Sequence, residues 1–277
     1  MTIDELHAAL LAADSPERES VGRDVGNFTV ALFAISQPQG VDRLNLAGTG
    51  TLVTIRGRHY ILTAAHVWED VLRRAPVLGL TLRENIDHRY LINTSDVVPA
   101  GPAKPEAWNE WGPDLVLLRL PPEHVGTIEA YRTFYNLNAA RPSAVNANAL
   151  ETRLLMGTPA ELGIFTQQHA DIEINALFME LGAAAHVIGG FDYFDFDVDL
   201  SFSAIPRDFG GVSGGGLWSV LIYYSEQTRK VESLKTLEGV AFYQLPVKDN
   251  HRIIRCHGPQ SIAVAIEHAS QLDAQEH

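Results

Sequence analysis

The sequence predicts an all-β protein made of two antiparallel β-barrels, and three observations carry that prediction. Short runs of β-branched and aromatic residues, bounded by turn residues, recur from residue 28 onward. No helix-period segment among them is long enough to cover a parallel sheet. A polar linker over residues 126–149, rich in Ala and Asn, divides the runs into two groups. Closing each group into a small barrel is the economical way to leave no exposed strand edge.

The first barrel is predicted over residues 28–125, which contain six strand-like runs. A turn at Arg56–Arg58 joins two of these runs as a hairpin, and the prolines after the last run end it. The six runs cover residues 28–35, 50–55, 60–63, 77–82, 90–92 and 115–120.

Two short helical regions and a second barrel complete the predicted organisation. Residues 1–27 form a helical N-terminal extension, because Thr2 and Glu5 fit a capping box before an apolar-periodic stretch. Residues 150–277 hold the second barrel and a C-terminal helix, which begins after the turn at 258–261.

Charge and composition narrow the classes of partner. The chain has 21 Lys and Arg against 34 Asp and Glu, a formal net charge of -13 at pH 7. This charge repels phosphate backbones and anionic lipids, so we expect neither a nucleic acid nor a membrane as partner. The N-terminus lacks the basic start of a signal peptide, and Cys256 is the only cysteine, so we expect a cytoplasmic location. Composition leaves the oligomeric state open.

A glycine-rich turn surrounds Ser213 in the segment Gly211–Leu217. A serine hydroxyl becomes an effective nucleophile only when a base removes its proton. The glycines permit backbone conformations that turn the amides of Gly211 and Ser213 toward one point, where an oxyanion would be stabilised. Alone, the motif is equally compatible with an ordinary serine-containing turn.

Two further segments offer a base and an orienting acid. His66 follows a β-run that ends in small residues, and imidazole exchanges protons near neutral pH. Asp114 opens a very apolar run, where its carboxylate could accept a hydrogen bond from one ring nitrogen of His66. Taken singly, a structural histidine and a turn aspartate explain these residues as well. The chain order His66, Asp114, Ser213, with gaps of 48 and 99 residues, makes the combination far more specific.

These motifs resemble those of the trypsin/chymotrypsin-like serine protease superfamily over roughly residues 28–268. The segments 48–67 and 114–120 fit best, and 239–246 is similar to the substrate-lining strand of HtrA/Deg-like peptidases. The resemblance implies two perpendicular six-stranded antiparallel barrels, an active site in the cleft between them, and neither a metal nor an organic cofactor.

The resemblance also implies a role for each matched residue of a serine endopeptidase that works through an acyl-enzyme. Ser213 would be the nucleophile, His66 the general base and then acid, and Asp114 the orienting carboxylate. The amides of Gly211 and Ser213 would form the oxyanion hole. The strand expected to bind a peptide or protein substrate in antiparallel fashion consists of Phe242, Tyr243 and Gln244.

Two positions near the nucleophile bear on activation and specificity. Val212 stands where most relatives carry Asp or Asn, so activation by a newly cleaved N-terminus is not expected. Arg207 lies six residues before Ser213, the usual base of the primary pocket, where its guanidinium would favour Asp or Glu before the scissile bond. If the Arg207 side chain instead pairs with Asp208 or points into solvent, the primary pocket would be apolar and shaped by Phe209 and Ala241.

Two other functions remain open at this point. The Gly211–Gly215 pattern also fits the nucleophile elbow of an α/β-hydrolase, with Asp249 and either His251 or His257 downstream. Only 64 residues follow Ser213, too few for the elements which that fold places there. The second alternative is a catalytically silent barrel that serves as a protein-interaction module.

A possible metal site is the weakest of the motifs. Asp195, Asp197 and Asp199 alternate along one strand, so they would share one face and could be considered for calcium. A solvated face, or an edge strand protected by charge, is the simpler interpretation.

Overall fold

The computed structural model describes residues 2–12, 15–36, 43–82, 89–102, 111–139, 149–165, 170–171, 174–179, 184–202 and 205–275. Within these ranges the chain forms two large antiparallel sheets flanked by short helices. The predicted all-β fold class is confirmed, and the architecture is consistent with a two-barrel, chymotrypsin-like fold. No helix in the described ranges is both long and apolar enough to cross a membrane.

The first sheet has the strand order β5-β4-β1-β2-β3-β7-β6, and β8 pairs in parallel with β2. Its strands are β1 (Thr29–Ser36), β2 (Arg43–Ile55), β3 (Arg58–Thr63), β4 (Val77–Thr81), β5 (Arg89–Asn93), β6 (Val98–Ala100), β7 (Val116–Arg119) and β8 (Tyr135–Asn136). The six runs expected from sequence correspond to β1–β5 and β7. The additional strands, β6 and β8, are 3 and 2 residues long, too short to show an alternating pattern.

The second sheet has the strand order β12-β9-β15-β16-β17-β14-β13. Its strands are β9 (Ala149–Gly157), β12 (Asn175–Met179), β13 (Ala184–Ile188), β14 (Phe191–Asp199), β15 (Gly216–Ser225), β16 (Lys230–Gln244) and β17 (His251–His257). A separate two-stranded pair consists of β10 (Ile164–Phe165) and β11 (Ala170–Asp171). Of the predicted linker, residues 140–148 lie outside the described residues.

Five helices are present in the described ranges: α1 (Ile3–Leu11), α2 (Pro16–Gly26), α3 (Ala65–Arg74), α4 (Pro122–Glu129) and α5 (Pro259–Gln275). Thr2 and Glu5 form the expected capping box of α1. The Asp192 carboxylate on β14 accepts from the first amides of α5, and this contact joins the helix to the second sheet.

A shared apolar core joins the two sheets and the terminal helices. Leu6 of α1 is 1% exposed and Val25 of α2 is fully buried, so the N-terminal helices are part of the core. Burying a leucine side chain contributes about 1.5–3 kcal/mol. The core draws on both sheets and on α1, α2 and α5, with Leu6, Val25, Leu62, Leu117, Trp218, Val240 and Ala265 among its members.

A polar contact holds α5 against the first sheet. The Asp273 carboxylate accepts from the guanidinium groups of Arg58 at 2.7 Å and Arg119 at 3.0 Å. It also accepts from the Tyr60 hydroxyl at 2.9 Å, and burial of that ring together with the adjacent carboxylate raises the Tyr60 pKa. Because Tyr60 is in the core, loss of the carboxylate would leave a buried donor without an acceptor.

We therefore expect Asp273→Ala to lower the free energy of unfolding by about 1–3 kcal/mol, as measured by urea denaturation. Glu267→Ala is the matched control, because it removes an exposed carboxylate from the same helix. Equal stability of the two variants would contradict the assigned role of Asp273.

Candidate active site

His66 and Asp114 are adjacent because the strands that precede and follow them are paired. Thr63, at the end of β3, lies opposite Val116, at the start of β7. The Asp114 carboxylate accepts from His66 Nδ1 at 2.6 Å and from the His66 backbone amide at 2.8 Å. Asp114 has no exposed surface, whereas the His66 side chain is 34% exposed. The contact at Nδ1 fixes the orientation of the imidazole ring, as an orienting carboxylate does.

His66 lies in the first turn of α3, where the sequence predicts only a strand end. Val67, Trp68 and Val71 bury one face of this helix against the first sheet. The spacing of these apolar residues is typical of a helix. However, the helix has only 10 residues and directly follows a strand, so its apolar periodicity is hard to recognise in the sequence.

The loop that carries Ser213 rests directly on the first sheet. The Ser213 carbonyl accepts from the Thr49 amide at 2.8 Å. Gly214 has φ +89, and a Cβ there would lie 1.9 Å from the Thr49 carbonyl oxygen and 2.1 Å from Thr63 Oγ1. Only glycine fits this conformation and this close approach. Thr63 is the last residue of β3, so the serine loop is packed against the strand that leads to His66.

Gly48 gives a second measure of how close the serine loop lies to α3. A Cβ on Gly48 would be 2.6 Å from Val67 Cγ2 and 2.8 Å from the Ser213 carbonyl oxygen. The residue after His66 and the backbone of Ser213 therefore both pack against the same glycine. The structure thus brings the three predicted residues, His66, Asp114 and Ser213, to one junction between the sheets.

Hydrogen bonds to neighbouring carbonyls orient the amides of Gly211 and Ser213. The Gly210 carbonyl accepts from Ala160 N at 2.6 Å, and the Val212 carbonyl accepts from Gly215 N at 2.8 Å. A trans peptide points its N–H opposite to its carbonyl, so both amides face away from these donors. Among the described residues neither amide has an acceptor, an arrangement suited to binding an anion.

His257 belongs to this site, although no motif in the sequence indicates it. Its Nε2 accepts from the backbone amide of Asp114 at 3.0 Å, and the side chain has no exposed surface. The ring stacks on Phe242, with centroids 4.2 Å apart. Burial lowers the pKa of His257 to about 4, against the opposing effect of the Asp114 and Asp192 carboxylates. His257 therefore stays neutral and continues to accept at neutral pH.

Aromatic side chains fix the segment before Asp114. The Tyr193 hydroxyl donates to the carbonyls of Trp111 and Gly112, and burial raises its pKa to about 12. The Arg255 guanidinium lies over the Trp111 ring, 3.4 Å from its centroid. Arg255 also makes two hydrogen bonds to Asp195, at 2.7 and 2.9 Å. The second sheet thus positions an acid that belongs to the first.

The residues predicted to contact substrate occupy three different environments. Arg207 is exposed and its amide donates to Glu161, so its guanidinium does not occupy a buried pocket. Phe242 is buried against His257, which leaves only its backbone for a substrate, and Tyr243 is half-buried. Gln244 donates to Asp208 at 2.7 Å, and this bond is the main reason that the Asp208 pKa is lowered.

The three alternating aspartates of β14 each have a hydrogen-bond partner. Asp195 pairs with Arg255, Asp197 lies 3.1 Å from His251 Nδ1, and Asp199 accepts from the Ser201 amide. Within the described ranges no group of three or more His, Cys, Asp or Glu side chains is arranged to hold a metal. The calcium interpretation gains no support from this strand.

The chain matches no protein-family model and no curated protein. Among solved structures it is similar to the tobacco vein mottling virus protease, with 10% identity, a TM-score of 0.41, and coverage of 89% of this chain and 84% of that one. It is also similar to the thermostable serine protease AL20 from an extremophilic microorganism, with 14% identity, a TM-score of 0.46, and coverage of 87% and 96%.

The pKa of His257 generates a prediction about stability. The folded value of about 4 lies below the ordinary 6.5, so the unfolded chain takes up the proton first as the pH falls. This contribution to stability is complete above pH 6.5 and is lost toward pH 4, at up to about 1.4 kcal/mol per pH unit. In His257→Gln this contribution to the change of the unfolding free energy with pH should disappear. Urea unfolding between pH 4 and pH 6.5 measures it.

His251→Gln is the control for this experiment, because the His251 side chain is 49% exposed. It should keep the part of the slope that His257 contributes. An unchanged slope in His257→Gln would show that His257 is not the group responsible.

Proposed function

We propose that this protein is a serine endopeptidase that uses Ser213, His66 and Asp114. The observation that carries the proposal is the hydrogen bond from His66 Nδ1 to the buried Asp114 carboxylate, beside a loop in which the amides of Gly211 and Ser213 have no acceptor among the described residues. In the proposed division of the chain, His66 and Asp114 belong to the barrel of residues 28–125 and Ser213 to that of 150–277. The reaction takes place at their junction.

The chemistry follows from these positions. Ser213 Oγ bonds to the carbonyl carbon of the substrate as its proton passes to His66 Nε2, and the carbonyl oxygen becomes an anion. The amides of Gly211 and Ser213 bind that anion. When the carbonyl reforms, the C–N bond breaks and the amine leaves with the proton from His66. Water then adds to the ester, gives its proton to His66, and releases the acid and the regenerated Ser213 hydroxyl.

The edge of β16 supports a peptide or protein as the substrate. Its ladder with β15 ends at the pair Gly216–Val240, but the strand continues to Gln244. An extended peptide that added to this edge would pair with the backbone of Phe242–Gln244, next to the serine loop. The loop and the edge are joined, because Gly214 N donates to the Ala241 carbonyl at 2.7 Å.

The silent interaction module is the second candidate, since the same fold can bind without catalysis. It would not require the hydrogen bonds that orient His66, nor amides without acceptors at Gly211 and Ser213. Reaction with a fluorophosphonate distinguishes the two functions, because only an activated serine displaces fluoride from phosphorus.

We expect the wild-type protein to be labelled by a fluorophosphonate and to cleave a peptide library. Ser213→Ala should abolish both, and His66→Ala should lower kcat by about 10⁴–10⁶ because members of a triad act as a unit. Ser219→Ala is the control, because that hydroxyl bonds to Glu151 on β9. Cleavage by Ser213→Ala at the wild-type rate, or a wild-type protein that is never labelled, would contradict the proposal.

The position of Arg207 leads to a prediction about specificity. Because its side chain is exposed, we expect Arg207→Ala to preserve the ratio of kcat/KM between peptides that differ only at the residue before the scissile bond. Arg229→Ala, at an exposed turn between β15 and β16, is the control. A preference for Asp or Glu that falls tenfold only in Arg207→Ala would show that Arg207 reads the substrate.

A further inference from the structure

Two buried threonine hydroxyls bridge the sheets next to the serine loop. Thr49 lies on β2 of the first sheet, and Thr158 directly follows β9 of the second. Both residues have no exposed surface, and their Oγ1 atoms are 2.8 Å apart. Thr49 Oγ1 also donates to the Gly211 carbonyl at 2.6 Å and accepts from the Thr158 amide at 3.0 Å.

Counting protons shows how this pair is arranged. A hydroxyl donates one hydrogen and accepts at two lone pairs. The hydrogen of Thr49 Oγ1 goes to the Gly211 carbonyl, since that contact is the shortest and a carbonyl only accepts. The two lone pairs of Thr49 Oγ1 then accept from the Thr158 amide and the Thr158 hydroxyl. The Thr49 hydroxyl is fully used, and its one donated bond ends on the serine loop.

That bond holds the peptide that lies between the two proposed oxyanion donors. Gly211 has φ +92, and a Cβ there would lie 2.5 Å from the Thr158 carbonyl oxygen. In the peptide between Gly211 and Val212, the carbonyl accepts from Thr49 Oγ1 and the N–H donates to the Phe209 carbonyl at 3.0 Å. Rotation of this peptide would turn the Gly211 and Ser213 amides relative to each other, so its orientation decides whether they converge.

The backbone of Thr49 holds the other side of the loop. Its amide donates to the Ser213 carbonyl at 2.8 Å, while its own carbonyl accepts from Thr63 Oγ1 at 2.7 Å. One residue of the first sheet therefore contacts the loop both before and after Val212. The backbone contact would survive a change of side chain, whereas the short bond to the Gly211 carbonyl would be lost with the Thr49 hydroxyl. The Thr158 hydroxyl lies farther from the same carbonyl, at 3.3 Å, and is the weaker of its two donors.

We propose that Thr49, supported by Thr158, is a positioning residue that keeps the two amides of the serine loop in the converging arrangement needed to bind an oxyanion. This inference rests on the proposed function. It predicts that the Thr49 hydroxyl acts on the transition state and not on the binding of substrate, because it touches neither the substrate nor the nucleophile.

The test is the isosteric variant Thr49→Val. Complete removal of an oxyanion donor costs about 10²–10³ in kcat, so its misorientation should lower kcat by about 10–100-fold and change KM less than about threefold. The rate of fluorophosphonate labelling and the affinity for a peptide aldehyde, which forms a tetrahedral adduct, should fall in parallel with kcat. Thr49→Ser keeps the hydroxyl and should recover most of each loss.

Thr29→Val is the matched control. Thr29 is also a fully buried threonine of the first sheet, but its hydroxyl has no hydrogen-bond partner in the described part of the chain. Its kcat should equal that of the wild type. Thr158→Val removes the supporting hydroxyl and should also lower kcat. It therefore tests the same inference if Thr49→Val does not fold.

The outcomes separate this inference from the proposed function. If the wild type and Thr29→Val are labelled and Thr49→Val and Thr158→Val react equally fast, the positioning role is overturned and the peptidase stands. A rise in KM with unchanged kcat would also overturn it. If the wild type is neither labelled nor active, the proposed function itself has failed.

Discussion

The burial of one carboxylate constrains the rest of this structure. Asp114 has no exposed surface, and a buried charge is tolerated only when hydrogen bonds replace the water it has lost. Two of those bonds come from His66 of α3, which packs on the first sheet, and the Asp114 amide is in turn held by His257 of β17 in the second. The carboxylate is thus held from the side of the first sheet and the backbone of the same residue from the second. The docking of the sheets and the formation of the site are therefore the same event.

Much of the fold was predictable because local patterns determine it. Each of the six strand runs of the first half overlaps a strand, and the capping box at Thr2 is present. Strand β2 begins earlier than its run, at Arg43, and α5 begins at Pro259, inside the turn predicted to precede it. Hydrophobic runs separated by glycine and proline are strong signals for such elements. The grouping of His66 with Asp114 was accessible for the same reason, since each lies at the end of an obvious strand.

Strand β17 and the roles of His257 and Thr49 could not be predicted, because they depend on contacts between distant parts of the chain. The strand β17 contains Arg255 and His257, which are buried and thereby disguise its apolar pattern. Each buried side chain has a hydrogen-bond partner on another element: Asp195 of β14 binds the arginine, and the Asp114 amide binds the histidine. The role of Thr49 was hidden in the same way, since its partner Thr158 lies 109 residues away.

The position of α5 has a consequence for how the protein folds. The carboxylate of Asp273 binds Arg58, 215 residues earlier in the chain, and the same helix contributes Ala265 to the core between the sheets. Contacts across such distances form slowly, because a long loop must close before they give any stabilisation. As synthesis proceeds from the N-terminus, the first sheet is made with its inner face still uncovered. The nascent chain thus passes through an extended period in which it depends on protection from aggregation.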